Sequence, residues 1–245
     1  MSWFSSMNIN PQKRGGRKLL SSPQAMHAAV MAAFEPGALE GIEGRALWRL
    51  DSDKYVHRLY VVSPVEPDLT HIVEQAGWIG QRWESTSYDP FLDRLKVGQQ
   101  WGFRLTANAV ERQFVSGKRG PLVPQQGLKH QTNWLLSHRA ADCGFAITQV
   151  PVGGGVEDGG NEMGDQMVPN LKITGRNELR FSRSSGKPAG PREKPQKGQA
   201  VTILQVQYEG VLEVTDSAKL RAALIQGIGR AKAYGCGLMT LRAGV

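Results

Sequence analysis

The chain has 245 residues, 40% of them hydrophobic, enough apolar material for one large domain or two of roughly 100–120 residues each. That content excludes a disordered chain, and a formal charge of +8 with a sequence pI of about 9.7 points to a polyanionic partner, nucleic acid ahead of a membrane surface. No apolar run reaches the ~18–20 residues of a membrane span, and the N-terminus lacks a signal-peptide layout. Cys143 and Cys236 lie far apart and fit a reducing compartment, so a cytoplasmic location is expected.

In chain order, Trp3–Ile9 suits a strand, and a polar, basic arm follows from Asn10 to Lys18. Ser21 or Ser22 caps a helix, with Pro23 in its first turn and Gln24 placed to reach back. That helix runs to about Phe34 and ends at Pro36-Gly37. Ala46–Leu50 and Tyr55–Val62 read as strands joined by a hairpin turn, and Asp68–Ala76 as a helix with Leu69, Ile72, Val73 and Ala76 on one face. Gln100–Ala107 completes a β-α-β-β-α-β order, the ferredoxin-like arrangement. The polar stretch Ser116–Pro124 marks the boundary between two units, 1–115 and 122–245.

The second unit begins with a helix near Thr132–Cys143 and a strand at Phe145–Val150. Val152–Val168, with six glycines and four acidic residues, reads as a mobile loop. Leu171–Arg183 and Val201–Val214 are strand-rich and joined by a basic Pro/Gly segment. Asp216 caps a helix to about Gln226, and Gly237–Leu241 is the last strand. The expected fold class is therefore α+β, with two tandem ferredoxin-like (RRM-like) domains.

Between that last helix and strand lie Gly227, Gly229, Gly235 and Gly237, with Arg230 and Lys232 among them. Glycine admits positive φ and close approach of a ligand, and the two cations add charge, so the segment reads as a phosphate cradle. It is neither a Walker A loop nor a dinucleotide fingerprint. A tight helix-to-strand connection without a ligand is the other reading.

His27 is the one ionisable group in Ala25–Phe34. Imidazole suits proton transfer near neutral pH, and Lys13, Arg14, Arg17 and Lys18 arrive just before its helix. Those cations, with the helix N-terminus, can hold a phosphodiester beside it; a helix-surface histidine with no duty is the alternative. His71 and Glu74 have the spacing of a di-metal ligand pair but lack a second copy. No Cys/His spacing resembles a zinc site, so no metal or other cofactor is expected.

Lys172, Arg176, Arg180, Arg183, Lys187, Arg192, Lys194 and Lys197 set eight cations against two acids between 172 and 197, most of the net charge of the chain. Such a one-signed hairpin can follow phosphates or enter a nucleic-acid groove. A solvated loop that keeps the protein soluble is the plainer account.

Four stretches together resemble the CasE family, the CRISPR repeat-processing endoribonucleases of the type I-E Cascade complex. They are the first strand through Asn10-Pro11 and the basic arm; Ser22–His27; Phe103–Asn108; and Tyr208–Leu212 with Gly227–Leu238. The resemblance implies tandem ferredoxin-like domains, recognition and cleavage of a CRISPR repeat RNA hairpin, and retention of the mature crRNA among other Cascade subunits. It carries the catalytic role onto His27 and the glycine-rich loop onto Gly227–Gly237; its basic hairpin maps loosely onto Arg176–Lys197. Three residues before the histidine, where some relatives have tyrosine, this chain has Gln24, which cannot carry a proton as a phenol does.

The chemistry expected is cleavage without a metal, by attack of the ribose 2′-OH on the adjacent phosphorus, with Arg17, Lys18 and Lys232 as candidates to stabilise the phosphorane. A non-catalytic RNA-binding subunit and a structural protein with a basic face are the competing readings.

Overall fold

Two antiparallel sheets of the same strand order organise the computed structural model, which describes residues 1–152, 166–183 and 199–244. The first unit runs β1 (Trp3–Ile9), α1 (Arg14–Ser21), α2 (Pro23–Met31), β2 (Leu47–Asp53), β3 (Val56–Ser63), α3 (Thr70–Ala76), β4 (Glu84–Ser87) and α4 (Asp89–Asp93). Its sheet has the order β2-β3-β1-β4, every neighbour antiparallel. Along β1 the pleat turns Met7 and Ile9 inward, where they join Met26 and Val30 of α2 and Ile72 of α3 in one core.

The second unit contains β5 (Gln100–Asn108), the ribbon β6 (Val110–Arg112) and β7 (Leu122–Pro124), α5 (Leu128–His138), β8 (Phe145–Ile147), β9 (Gln149–Val152), β10 (Gln166–Pro169), β11 (Leu171–Arg183), β12 (Gln199–Val214), α6 (Ser217–Gln226), a 3-10 turn (Lys232–Tyr234) and β13 (Met239–Arg242). Its sheet has the order β11-β12-β5-β13, with β8 added against β12. Taken as first, second, third and fourth strands, β5, β11, β12 and β13 repeat the order of the first sheet. The tandem ferredoxin-like fold is thus present. Leu105 and Ala107 of β5, Tyr208 of β12, Trp134 of α5 and Leu224 of α6 share a core that also takes in Leu47 and Val62 of the first sheet. The two units therefore meet through apolar contact.

Several expectations are corrected. The strand at 100–107 does not close the first sheet: β5 pairs with β12 from Gln205↔Asn108 to Glu213↔Gln100 and with β13. The fourth strand of the first unit is β4, paired with β1. With β5 in the second sheet, the Ser116–Pro124 stretch falls inside the second unit, at the end of the β6–β7 ribbon, not at a boundary. Part of the basic arm is helical, because Gly16 lets α1 lie on the chain at Asn10; a Cβ there would come within 1.8 Å of the Asn10 carbonyl oxygen. The flank of the expected 152–168 loop is strand, since Val152 and Val168 belong to the paired β9 and β10; residues 153–165 lie outside the described residues.

Candidate functional site

Helix α2 starts where Ser22, in an extended conformation, accepts a hydrogen bond from the Ala25 N–H at 3.2 Å, with Pro23 in the first turn. This cap fixes the helix on which His27 sits. Met26 and Val30 bury their side chains in the first core, which leaves His27 half-buried on the flank. Its Nδ1 is buried and has no hydrogen-bond partner, and burial holds the imidazole below its ordinary pKa. Pro23, four residues earlier on the same helix face, lines a cleft between the units. Leu19, Leu20, Trp48 and Leu50 form one wall, and Gly175, Arg176, Asn177, Gln205 and Gly235 the other.

The cations before α2 are divided by α1. Lys13 is half-buried and donates to the Glu74 carbonyl at 3.2 Å, and Arg17 donates to the Gln12 carbonyl at 2.6 Å. Arg14 and Lys18 are exposed and one helical turn apart, with Arg17 beside them. They form a basic face on the helix that leads into the cleft.

The glycine-rich segment is folded onto the same helix: α2 packs against the 3-10 turn opened by Lys232. Its glycines have positive φ, and at Gly235 (φ +77°) a Cβ would lie 2.7 Å from the Trp48 ring. The backbone of the segment bonds mainly to itself and to β5. Gly227 N–H donates to Ala223, Ile228 N–H to Gly237, and Gly237 N–H to Thr106. These amides are spent within the fold. Its charge comes from Arg230, exposed and bridged to Asn108, and from half-buried Lys232. Burial, with Arg45 nearby, holds the Lys232 amine below its ordinary pKa.

On β11, Arg176 reaches the cleft wall and donates to the Gln126 carbonyl. Arg180 points elsewhere in charge terms: it is paired with Glu178 at 2.8 Å. Arg183 ends the strand at its pair with Gln199, and Lys187, Arg192, Lys194 and Lys197 lie outside the described residues. The structure therefore sets the end of α1, Pro23 at the start of α2, Arg176 and Gly235 of the glycine-rich turn around one cleft, with His27 one turn further along α2. Two other histidines have partners of their own: His71 Nε2 meets the Ala29 carbonyl at 2.9 Å, and His57 Nδ1 the Ser52 hydroxyl at 2.9 Å.

One constellation escaped the sequence. Arg49 on β2, 1% exposed, places all five donors. Nε and Nη2 hold Asp51 at 2.6 and 2.9 Å, Nη1 donates to the Arg104 and Leu238 carbonyls, and Nη2 also reaches Thr240. Asp51 in turn receives Arg104 at 3.1 Å, and Arg104 pairs with Glu209 at 2.9 Å. This network fastens the first sheet to β5 and β13 of the second. Its signal in the sequence is an arginine two positions before an aspartate, set among the apolar Leu47, Trp48 and Leu50.

Residues 2–243 match the family described as CRISPR associated protein. The chain is 28% identical over 241 residues to the CRISPR-associated endoribonuclease Cse3 of Thermus thermophilus, covering 98% of this chain and 99% of that protein. It is similar to a structure of CRISPR endoribonuclease Cse3 bound to 19 nt RNA, with TM-score 0.73, 26% identity and coverage of 98% and 99%. It also resembles Thermus thermophilus Cse3 bound to an RNA representing a pre-cleavage complex, with TM-score 0.70, 25% identity and 98% of both chains covered. With a match that runs from the first strand to past the last, the chain belongs to the family of CRISPR associated proteins.

Proposed function

We propose that this protein is an endoribonuclease that cuts CRISPR repeat hairpin RNA and keeps the mature crRNA as a subunit of a Cascade complex. The observation that carries the catalytic part is His27: a half-buried imidazole whose Nδ1 has no partner, on a helix whose first turn lines a cleft that Arg176 also lines. A structural histidine at such a place normally satisfies its ring nitrogens. Burial of Nδ1 makes Nε2 the nitrogen that reaches substrate.

The reaction is internal transphosphorylation. The ribose 2′-oxygen forms a bond to the adjacent phosphorus and releases its proton, while the bond from phosphorus to the 5′-oxygen breaks and that oxygen takes up a proton. The products are a 2′,3′-cyclic phosphate and a 5′-hydroxyl. His27 performs one of the two proton transfers, a contribution of about 10²–10⁴-fold in rate. Arg17, Lys18 and Lys232 supply positive charge to the phosphorane, and alignment in the cleft supplies the in-line geometry. Arg14, Lys13, Arg176, Arg180, Arg183 and Lys187 extend the RNA contact away from the scissile bond, and Arg230 adds to it at the turn. The four glycines contribute by shaping that turn. No step asks for a metal ion.

The test is cleavage of labelled repeat RNA in EDTA by the native protein and by His27→Ala. The native protein cuts, and the variant binds equally but is slower by about 10²–10⁴-fold. A single 2′-deoxy nucleotide at the scissile position abolishes the cut. Binding without cleavage by both proteins assigns a non-catalytic RNA-binding subunit instead.

A further inference from the structure

The second sheet packs one face on α5 and α6 and turns the other to the cleft. Along β12 the buried Val206 and Tyr208 belong to the core, so the alternate residues Gln205 and Gln207 lie on the cleft side. The register sets Gly175, Gln207 and Thr106 side by side across β11, β12 and β5, with Asn177 opposite Gln205 in the next row. All five line the cleft. From the first unit Leu20 of α1 and Trp48 and Leu50 of β2 line it too, around a volume of about 410 Å³, within the range of small-molecule sites.

This lining differs in chemistry from the basic face of α1. Arg176 is its one charged residue, and no carboxylate lines it among the described residues. Gln205 is committed, since its Nε2 donates to the Tyr234 carbonyl at 2.8 Å. The Gln207 oxygen accepts from the Thr174 hydroxyl at 3.2 Å, while its amide nitrogen and the Asn177 side chain have no partner among the described residues. Trp48 is 4% exposed, and its Nε1 is buried without a partner. Gly175 adds a second observation. Its φ is not positive, so the backbone itself does not require glycine. A Cβ there would lie 3.3 Å from Gln207 Oε1; the bare strand leaves the Gln207 amide room on the cleft side.

RNA carries its charge on the backbone and none on its bases. A neutral cleft of amides and apolar walls, with cations at its edge, suits a base inside and phosphates outside. We infer that the cleft is a pocket for one unstacked nucleobase beside the scissile phosphate, read by Gln207 and Asn177. The inference rests on the endoribonuclease reading above and names what the same site recognises. Pro23, at the cleft, is one helical turn from His27, about 5.4 Å along the axis, a span that one nucleotide covers. The two amides offer both donors and acceptors to the edge of a base. They are specificity residues that the spacing of the sequence does not single out.

The experiment uses labelled repeat RNAs in which one nucleotide at a time around the scissile bond is made abasic, with its ribose kept. Affinity and kcat/KM for cleavage are measured for the native protein, Gln207→Ala, Asn177→Ala and Gly175→Ala. Asn177 is exposed and Gln207 half-buried, and thermal unfolding checks that the variants keep the fold. For the native protein, loss of the base at one position next to the scissile bond lowers kcat/KM about tenfold or more. On intact RNA, Gln207→Ala and Asn177→Ala each lose about tenfold, and neither loses further when that same base is absent. Gly175→Ala, whose methyl group presses on the Gln207 amide, shows a smaller loss that also disappears on the abasic RNA. Native rates on intact RNA in the folded variants, or losses equal on intact and abasic RNA at every position, overturn the pocket. Failure of the native protein to bind or cut intact RNA overturns the reading beneath it, a different result.

Discussion

Arg49 and Arg139 are both arginines with buried guanidinium nitrogen, and they sit in opposite electrostatic states. Arg49 joins the two sheets with every donor matched and a bidentate carboxylate opposite it. Arg139 lies over the Trp134 ring at 5.5 Å, forms no ion pair among the described residues, and leaves its Nε unmatched. The first arrangement is complete without a ligand and therefore serves the architecture. The second, like His27 with its Nδ1, leaves a buried nitrogen without a partner in the fold. Complete polar satisfaction marks the Arg49 network as part of the architecture that joins the two sheets.

The largest effect expected from this contrast is on stability. Arg49→Ala leaves Asp51 buried against a void, with only the partly exposed Arg104 to meet it, and removes two backbone acceptors' partners. A loss of about 3–5 kcal/mol follows, read as a lower midpoint in urea. Replacing both members, Arg49→Met with Asp51→Leu, costs less than the single change, because no orphaned charge remains. Arg139→Ala, by contrast, removes an unmet donor and breaks no ion pair among the described residues, so its cost stays below about 1 kcal/mol. Equal losses for Arg49→Ala and Arg139→Ala would erase the distinction.

Of intermediate size is Gly235→Ala. Its φ of +77° and the Trp48 ring 2.7 Å from the would-be Cβ leave no place for a methyl group, at a cost of about 1–3 kcal/mol. Since this glycine lines the cleft beside α2, displacement of the turn also slows RNA cleavage while salt dependence stays native. A variant with normal stability shows instead that the turn tolerates movement.

Local signals carried much of this structure. The Ser22 cap, Pro23 and the apolar positions Met26 and Val30 made α2 readable, and with it the place of His27. Asp216 announced α6 in the same way, accepting from the Ala218 and Lys219 N–H groups at 3.0 Å. What escaped was decided at long range. Glu84–Ser87 is a short polar edge strand with no apolar alternation, recognisable only by its pairing with β1. β5 is a plain strand by composition, yet its sheet is chosen by partners about a hundred residues away. Helix α1 contains two glycines that oppose helix formation locally, and only contact with Asn10 and the neighbourhood of Gln75 makes them useful.

The smallest effect concerns pH and tests whether His27 belongs with the incomplete groups. Burial holds its imidazole below the ordinary value of 6.5, so the folded chain keeps the ring neutral where the unfolded chain takes up a proton. Between the depressed folded pKa and 6.5 the unfolded state binds more protons, and stability must rise with pH. The full stability is present above that window and declines as pH falls through it. His27→Gln lacks this dependence, so the native-minus-variant stability should shrink between about pH 7.5 and about pH 5.5. Under the proposed reaction, the inflection that His27 gives to the cleavage profile is expected on the acid side of 6.5 for the same reason. A constant native-minus-variant difference, with an inflection at or above the ordinary histidine value, places the ring in open solvent. His27 would then lack the desolvated environment that sets it apart from the exposed basic residues around it.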